Sequence, residues 1–234
     1  MFHFKQFSID QSGCAMKVNT DGVLLGALAD AENPQTILDI GTGTGVIALM
    51  LAQRFGNAMI DAVEIDEAAA KTANNNFINS PFADRLNIFP VSFEQFFDEH
   101  PAKKYDLIVA NPPFYINSLK SPQIKTNLAK HADDGFYKGL IKNVAAHLTS
   151  DGCCWLILPT DTAEFVMTLA IENYLYPQKV INVHSFISSV SHRVIIYFGR
   201  HKVSTETAKF TIYKSPGNYS EDYKKLLQPY FIAF

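Results

Sequence analysis

Residues 37–51 read ILDIGTGTGVIALML. An apolar run closes on Asp39 and Ile40, glycines follow at positions 41, 43 and 45, and a second apolar run begins at Val46. Strand, tight turn and helix in that order open a βαβ unit. Gly41, Gly43 and Gly45 permit positive φ and let the backbone approach a ligand closely. A dinucleotide fingerprint would read G-x-G-x-x-G or A. Here its last position is Val46, and the third glycine comes one residue early. That spacing suits a pyrophosphate on the helix N-terminus poorly, and suits an uncharged or cationic ligand lying across the loop. No phosphate-binding lysine follows the turn, which excludes a P-loop. At the end of the next apolar run, in AVEIDEAA, Glu64 with Asp66 behind it is placed to hydrogen-bond a ribose diol.

The alternation continues outward from this loop. Strands are predicted over Thr36–Ile40, Met59–Val63, Leu86–Pro90, Asp106–Ala110, Cys153–Leu158, Lys179–Phe186 and Arg193–Gly199. Helices are predicted over Gly45–Arg54, Glu67–Ile78, Phe136–Leu148 and Asp161–Asn173, the last capped by Asp161 with Glu164 three residues on. The final two strands leave no room for a crossover helix and form a hairpin. The expectation is an α/β fold with a seven-stranded, mostly parallel sheet, a C-terminal antiparallel hairpin and helices on both faces. Residues 1–234 read as a single domain: an N-terminal strand and helix in 1–30, a core in 31–200 and a C-terminal extension in 201–234. Thr20 or Asp21 is expected to cap the first helix, and Ser220 a short last one. The stretch 202–209 reads as polar connection.

Composition bounds the partners. No apolar run approaches the roughly 18 residues of a membrane span. MFHFKQFSID lacks the features of a signal peptide, and three cysteines without framework spacing suit a reducing cytoplasm. The net charge of −3 is uneven: residues 1–114 carry 7 Lys/Arg against 14 Asp/Glu, and residues 115–234 carry 13 against 9. A polyanion would therefore meet the second half. No metal-ligand spacing is present, and a monomer is expected.

Residues 105–115, YDLIVANPPFY, end the fourth core strand on an unusual corner. Pro112 and Pro113 must end the strand because proline cannot donate to the ladder. They do not explain Asn111 before them or Phe114 after. In an open α/β sheet a ligand lies outside the strands' carboxyl ends where strand order reverses. If the first and fourth core strands flank that reversal, the glycine turn and this corner face one crevice.

Taken together, Asp39-Ile-Gly41-Thr-Gly43-Thr-Gly45, Glu64 and Asn111-Pro112-Pro113-Phe114 resemble the class I S-adenosylmethionine (SAM)-dependent methyltransferases, a Rossmann-like fold, over roughly residues 36–200. The Asn-Pro-Pro-aromatic signature is similar to that of enzymes acting on planar nitrogens: adenine N6, guanine N2 of rRNA or protein glutamine. FHFKQFSIDQSGCAMKVNTDGVLLGALA and IYKSPGNYSEDYKKL further resemble the ends of the bacterial tRNA(Val) adenine-N6 methyltransferases. The resemblance implies methylation of the adenine 3′-adjacent to the anticodon, with SAM as cofactor, S-adenosylhomocysteine as product and tRNA as partner. It implies that Thr20-Asp21-Gly22 and Lys17 lie at the methionine end of the cofactor, and that Ser92 and Phe93 lie near its adenine.

The chemistry accounts for the residue types. An exocyclic amine is a poor nucleophile because its lone pair is delocalised into the ring. Acceptors from the Asn111 side chain and the Pro112 carbonyl can each take an amino hydrogen, and Phe114 offers a stacking face worth about 1–3 kcal/mol. Neither a metal nor a strong base is needed. Beyond the corner, Tyr115, Lys120, Lys125 and Lys130 are the candidate substrate contacts, in a long loop without acids. His131, His192, Arg193, Arg200, His201 and Lys202 read as solvated, and Trp155 as core. A nicotinamide oxidoreductase, or an RNA-binding protein that has lost catalysis, fits the glycine loop and its acidic partners less well.

Overall fold

A computed structural model describes residues 1–14, 16–112 and 127–234, with side chains of 127–133 outside the description. The chain opens with two short strands, β1 (Phe2–His3) and β2 (Ser8–Ile9), and a helix, α1 (Thr20–Leu28). The core then alternates β3 (Thr36–Ile40), α2 (Val46–Arg54), β4 (Met59–Val63), α3 (Glu67–Ile78), β5 (Leu86–Phe89), α4 (Phe93–Glu99), β6 (Tyr105–Ala110), α5 (Asn127–His147), β7 (Leu148–Pro159) and α6 (Thr160–Glu172). It ends with β8 (Tyr176–Phe186), β9 (Ser191–Gly199), β10 (Glu206–Ser215), β11 (Asn218–Tyr219) and α7 (Glu221–Leu227).

Among the described residues one sheet of nine strands runs in the order β11-β10-β8-β9-β7-β6-β3-β4-β5. The pairs β3–β4, β4–β5, β3–β6 and β6–β7 are parallel, and β9 is antiparallel to both β7 and β8. The seven expected strands are therefore present with the antiparallel hairpin in place. Two strands extend the sheet: β10, parallel to β8, and β11 beyond it. The stretch 202–209 is thus not all connection, since Glu206–Lys209 already pairs with Lys179–Asn182.

Both faces are covered, as the continuous apolar runs require. Ile37, Leu107, Val109, Trp155 and Ile157 point into one core with α1, α2 and α7; Leu38, Ile108, Ala110, Cys154 and Leu156 point into the other with α4, α5 and α6. Trp155 is core, and its indole Nε1 donates to the Asp30 carbonyl at 2.9 Å. Three arginines satisfy the orphan carbonyls at helix ends. Arg54 donates to Ala27 and Ala29, Arg85 to Ala52, Phe55 and Ala58, and Arg200 to Ala145, Leu148 and Thr149. Arg200 is therefore a helix cap rather than a solvated strand end.

Several ends differ from expectation. Asn19, not Thr20 or Asp21, caps α1, its Oδ1 accepting from the Gly22 amide at 2.9 Å. Helix α5 starts at Asn127 rather than Phe136, and α6 begins at Thr160 after Pro159 without a side-chain cap from Asp161. Ser220 caps α7 as expected. The chain ends are joined: Phe4 pairs with Phe231, and Lys5 donates to the Gln228 and Phe234 carbonyls.

Candidate active site

Strands β3 and β6 are the first and fourth strands of the core and lie side by side, with β4 and β5 on one side and β7 onward on the other. The strand order therefore reverses between them. Ile40 is paired with Ala110 in parallel register, so Gly41 and Asn111 each leave the sheet one residue later, at the same carboxyl edge. The glycine turn and the Asn-Pro corner thus leave adjacent strands at one edge, the condition under which the sequence reading has them face a common ligand.

The three glycines of the turn answer two different needs. Gly41, Gly43 and Gly45 all hold positive φ, at 71°, 57° and 82°. Among the described residues a Cβ on Gly41 or Gly43 would meet no atom within 4 Å, so the backbone there is bare of them. A Cβ on Gly45 would stand 2.5 Å from Phe77 Cε1, because α3 packs directly on the start of α2. Two of the glycines thus form a cradle that a ligand can enter, and the third permits packing.

Asp39 supports the turn from beneath. It is fully buried, and its Oδ2 accepts from Thr42 Oγ1 at 2.6 Å and from the Ala48 amide at 3.2 Å. Burial pushes its carboxyl up to about 7, the nearby Glu64 charge adding to the rise and the two hydrogen bonds opposing it. Asp39 Oδ1 is buried and without a partner among the described residues. Glu64 ties the turn to the neighbouring strand: Oε2 accepts from the Gly43 amide and Oε1 from the Asp66 amide, each at 2.9 Å. Its carboxylate oxygens keep lone pairs for hydroxyl donors.

The N-terminal extension covers this edge. Asn76, buried on α3, donates to the Thr44 and Asp10 carbonyls and accepts from the Asp10 amide, fastening the extension to the turn. Thr72 adds a bond to the Ser12 carbonyl at 2.6 Å. Thr20 and Asp21 form the first turn of α1, and Gly22 packs against Val46, the first residue of α2. Asp21 accepts from Arg193 Nε at 2.9 Å, both side chains mostly buried. Arg193 faces Pro159 at the carboxyl end of β7, so this ion pair bridges the extension to the hairpin. Lys17 is exposed.

At the corner, Asn111 is half-buried and Pro112 buried. Asn111 Oδ1 is shielded from solvent and, among the described residues, has no hydrogen-bond partner. A buried acceptor left unsatisfied is costly, so its partner is to be sought in a ligand. Pro113, Phe114, Tyr115, Lys120 and Lys125 lie outside the described residues, as does the Lys130 side chain. Ser92 caps α4 through the Gln95 amide. Phe93 is buried and meets Phe136 edge-on at 5.5 Å, so its ring belongs mainly to the core.

Three residues at this edge carry no sequence signal of their role. Asn76 is one asparagine among several on a helix, Asn19 is an ordinary cap, and Arg193 finds its partner 172 positions away. Thr42, by contrast, lies in the glycine motif itself and was legible as part of the turn.

The family profile described as "Methyltransferase small domain" matches residues 16–164. The chain is 47% identical over its whole length to a tRNA1(Val) (adenine(37)-N6)-methyltransferase of Pedobacter heparinus, covering 98% of that protein. It is 41% identical to one of Bacteroides thetaiotaomicron, with 99% of this chain and 97% of that one aligned. Among solved structures, an Agrobacterium tumefaciens protein described as a predicted O-methyltransferase superposes with a TM-score of 0.70 at 15% identity, covering 90% of this chain and 96% of the other.

Proposed function

The chain belongs to the family of tRNA1(Val) (adenine(37)-N6)-methyltransferases, and from that premise we propose how its residues carry out the reaction. The enzyme methylates the exocyclic N6 of adenine 37 in tRNA1(Val). S-adenosylmethionine is the donor that we assign, supplying an electrophilic methyl group on a sulfonium and leaving S-adenosylhomocysteine. The site fits it: the bare faces of Gly41 and Gly43 admit a ligand against the backbone, and the turn carries no feature that selects a phosphate. Cytoplasm, where tRNA is available, is the compartment that follows; among the described residues no helix is long and apolar enough to cross a membrane.

Glu64 holds the ribose hydroxyls, and Asp39 keeps the turn in shape from below. Thr20, Asp21 and Gly22 close the crevice from above, with Lys17 at its rim. Ser92 and Phe93 stand at the adenine end, Phe93 contributing through the packing of α4. Asn111 Oδ1 accepts one hydrogen of the target amine, and the Pro112 carbonyl accepts the other. Two fixed acceptors hold the nitrogen with its lone pair turned toward the glycine turn, and Pro113 stiffens them. Fixed geometry of this kind removes several kcal/mol of barrier, on the order of 7–11 at best. Phe114 supplies a face for the base, which reaches the site splayed out of the anticodon loop.

One observation carries this reading. A buried amide oxygen with no partner among the described residues stands one residue past the strand pair that also delivers the glycine turn. The test is mass analysis of nucleosides from tRNA incubated with SAM, with and without the enzyme. N6-methyladenine appearing only with enzyme is the expected result. Methylated guanine in place of N6-methyladenine, or tRNA nucleosides left unchanged by the enzyme, would overturn it.

A further inference from the structure

The site lies near the middle of the sheet, but positive charge gathers to one side of it. Residues 176–219, which form β8 to β11, carry six Lys/Arg and three His against a single acid, Glu206. With 20 Lys/Arg and 23 Asp/Glu in all, the rest of the chain carries 14 against 22. The acidic balance of the whole molecule therefore conceals a segment with an excess of five positive charges in sequence, of which Arg193 is paired with Asp21 of α1.

Glu206 lies away from the edge near the site; there Asp21 of α1 already pairs with Arg193, which leaves Lys209 and Lys214 to carry the charge. Glu206 pairs with Lys179 at 2.9 Å, where β8 and β10 begin, at the amino edge of the sheet. Strand β8 runs parallel to β6 and β7, because each is antiparallel to β9 or parallel to its neighbour. Its end, the turn 187–190 and the end of β10 therefore stand at the carboxyl edge, the edge of Gly41 and Asn111. Ile187 and Val190 are 76% and 87% exposed there. His192 is exposed beside them, and Lys209 Nζ donates to the Ile187 carbonyl at 2.5 Å, which holds its charge at the turn. Lys214 is exposed further along β10. Four strand spacings separate β6 from β10, about 19 Å.

We propose that this edge of β8–β10, centred on the turn 187–190, is the surface that grips the RNA backbone beside the target adenine; the proposal rests on reading the chain as a tRNA methyltransferase. A net-acidic protein must present a local cationic surface to hold a polyanion, and this wing is where that charge is concentrated. Lys209 and Lys214 meet phosphates. Ile187 and Val190 supply apolar contact to a sugar or an unstacked base, as expected where single-stranded loops are recognised.

The test uses the intact enzyme and tRNA. KM and kcat for tRNA are measured across a salt series for the wild type, for Lys209→Gln/Lys214→Gln, and for Lys71→Gln, an exposed charge on α3 in the opposite wing. The double variant is expected to raise KM roughly tenfold and to flatten the slope of log KM against log salt by about 1–2. Its kcat and SAM affinity should remain at wild-type values, and Lys71→Gln should change none of these quantities. An unchanged KM and salt slope in the double variant would overturn the proposal while leaving the methyltransferase reading standing. A lower kcat at unchanged KM would overturn it as well. A wild type that methylates no tRNA would instead remove the functional reading beneath it.

Discussion

Gly45→Ala and Gly43→Ala, two substitutions at neighbouring glycines, should fail in different ways. At Gly45 an L-residue must adopt φ +82°, and left-handed backbone costs about 1–2 kcal/mol. The new methyl also lies 2.5 Å from Phe77 Cε1 and 3.1 Å from Cζ. Phe77 is 2% exposed in the core and has no room to withdraw. Overpacking of that kind adds about 1–3 kcal/mol, for a total of roughly 2–5. In a domain of this length each kcal/mol lowers the melting midpoint by about 2–4 °C, so a loss of roughly 5–20 °C is expected. At Gly43 the φ of +57° carries the same backbone cost, but no atom of the described residues lies within 4 Å of the added methyl. Stability should fall by only about 1–2 kcal/mol there. The methyl stands in the cradle instead, so SAM affinity should drop sharply. Thermal unfolding and calorimetric titration with SAM read the two effects separately. Equal destabilisation at both sites, or normal SAM binding by Gly43→Ala, would refute the division of roles among these glycines.

Two further outcomes follow from the buried charges. The Asp39 carboxyl is raised to about 7 in the folded protein from an ordinary value near 3.8, so the folded state holds a proton that the unfolded state releases first. Its contribution is complete below pH about 4 and is lost as pH rises to about 7, at up to about 1.4 kcal/mol per pH unit. Asp39→Asn should remove that decline from the difference between urea midpoints measured over this range; a variant with the wild-type pH slope would contradict it. For the Asp21–Arg193 pair, Asp21→Asn and Arg193→Gln should each cost about 1.5–3 kcal/mol and raise KM for SAM more than they lower kcat. A double-mutant cycle with no coupling energy would show that the bridge does not hold α1 in place.

The sequence was most readable where one physical demand acted alone. Thr36–Ile40 and Met59–Val63 are strands to the residue, because runs buried on both faces are largely apolar, here interrupted only by Thr36, Asp39 and Asp61. The glycine turn was equally plain, since three alternating positive-φ positions tolerate little else. Strand β10 was partly hidden: ETAK begins an outer strand with one face near solvent, so its first residues read as polar connection, and its pairing with β8 is long-range. The α1 cap was misplaced by one or two residues because Thr20 and Asp21 are equally good caps by type. Asp21 is engaged by Arg193, and only the folded chain brings those two together. The expectation that Arg193 and Arg200 are solvated failed for the same reason, as each finds its acceptors across the fold. What charge counting over halves of the chain blurred, the strand order sharpened: the positive excess belongs to one wing of the sheet.

The central claim is that Asn111 positions the amine rather than holding the donor. Its most direct measurement is single-turnover methyl transfer by Asn111→Ala at saturating SAM and tRNA, with SAM affinity determined on the same preparation. Loss of a preorganised group of this kind costs on the order of 10²–10³ in rate. A loss of that size is expected, with SAM affinity close to wild type. Transfer at the wild-type rate, or a loss explained wholly by weaker SAM binding, would contradict it.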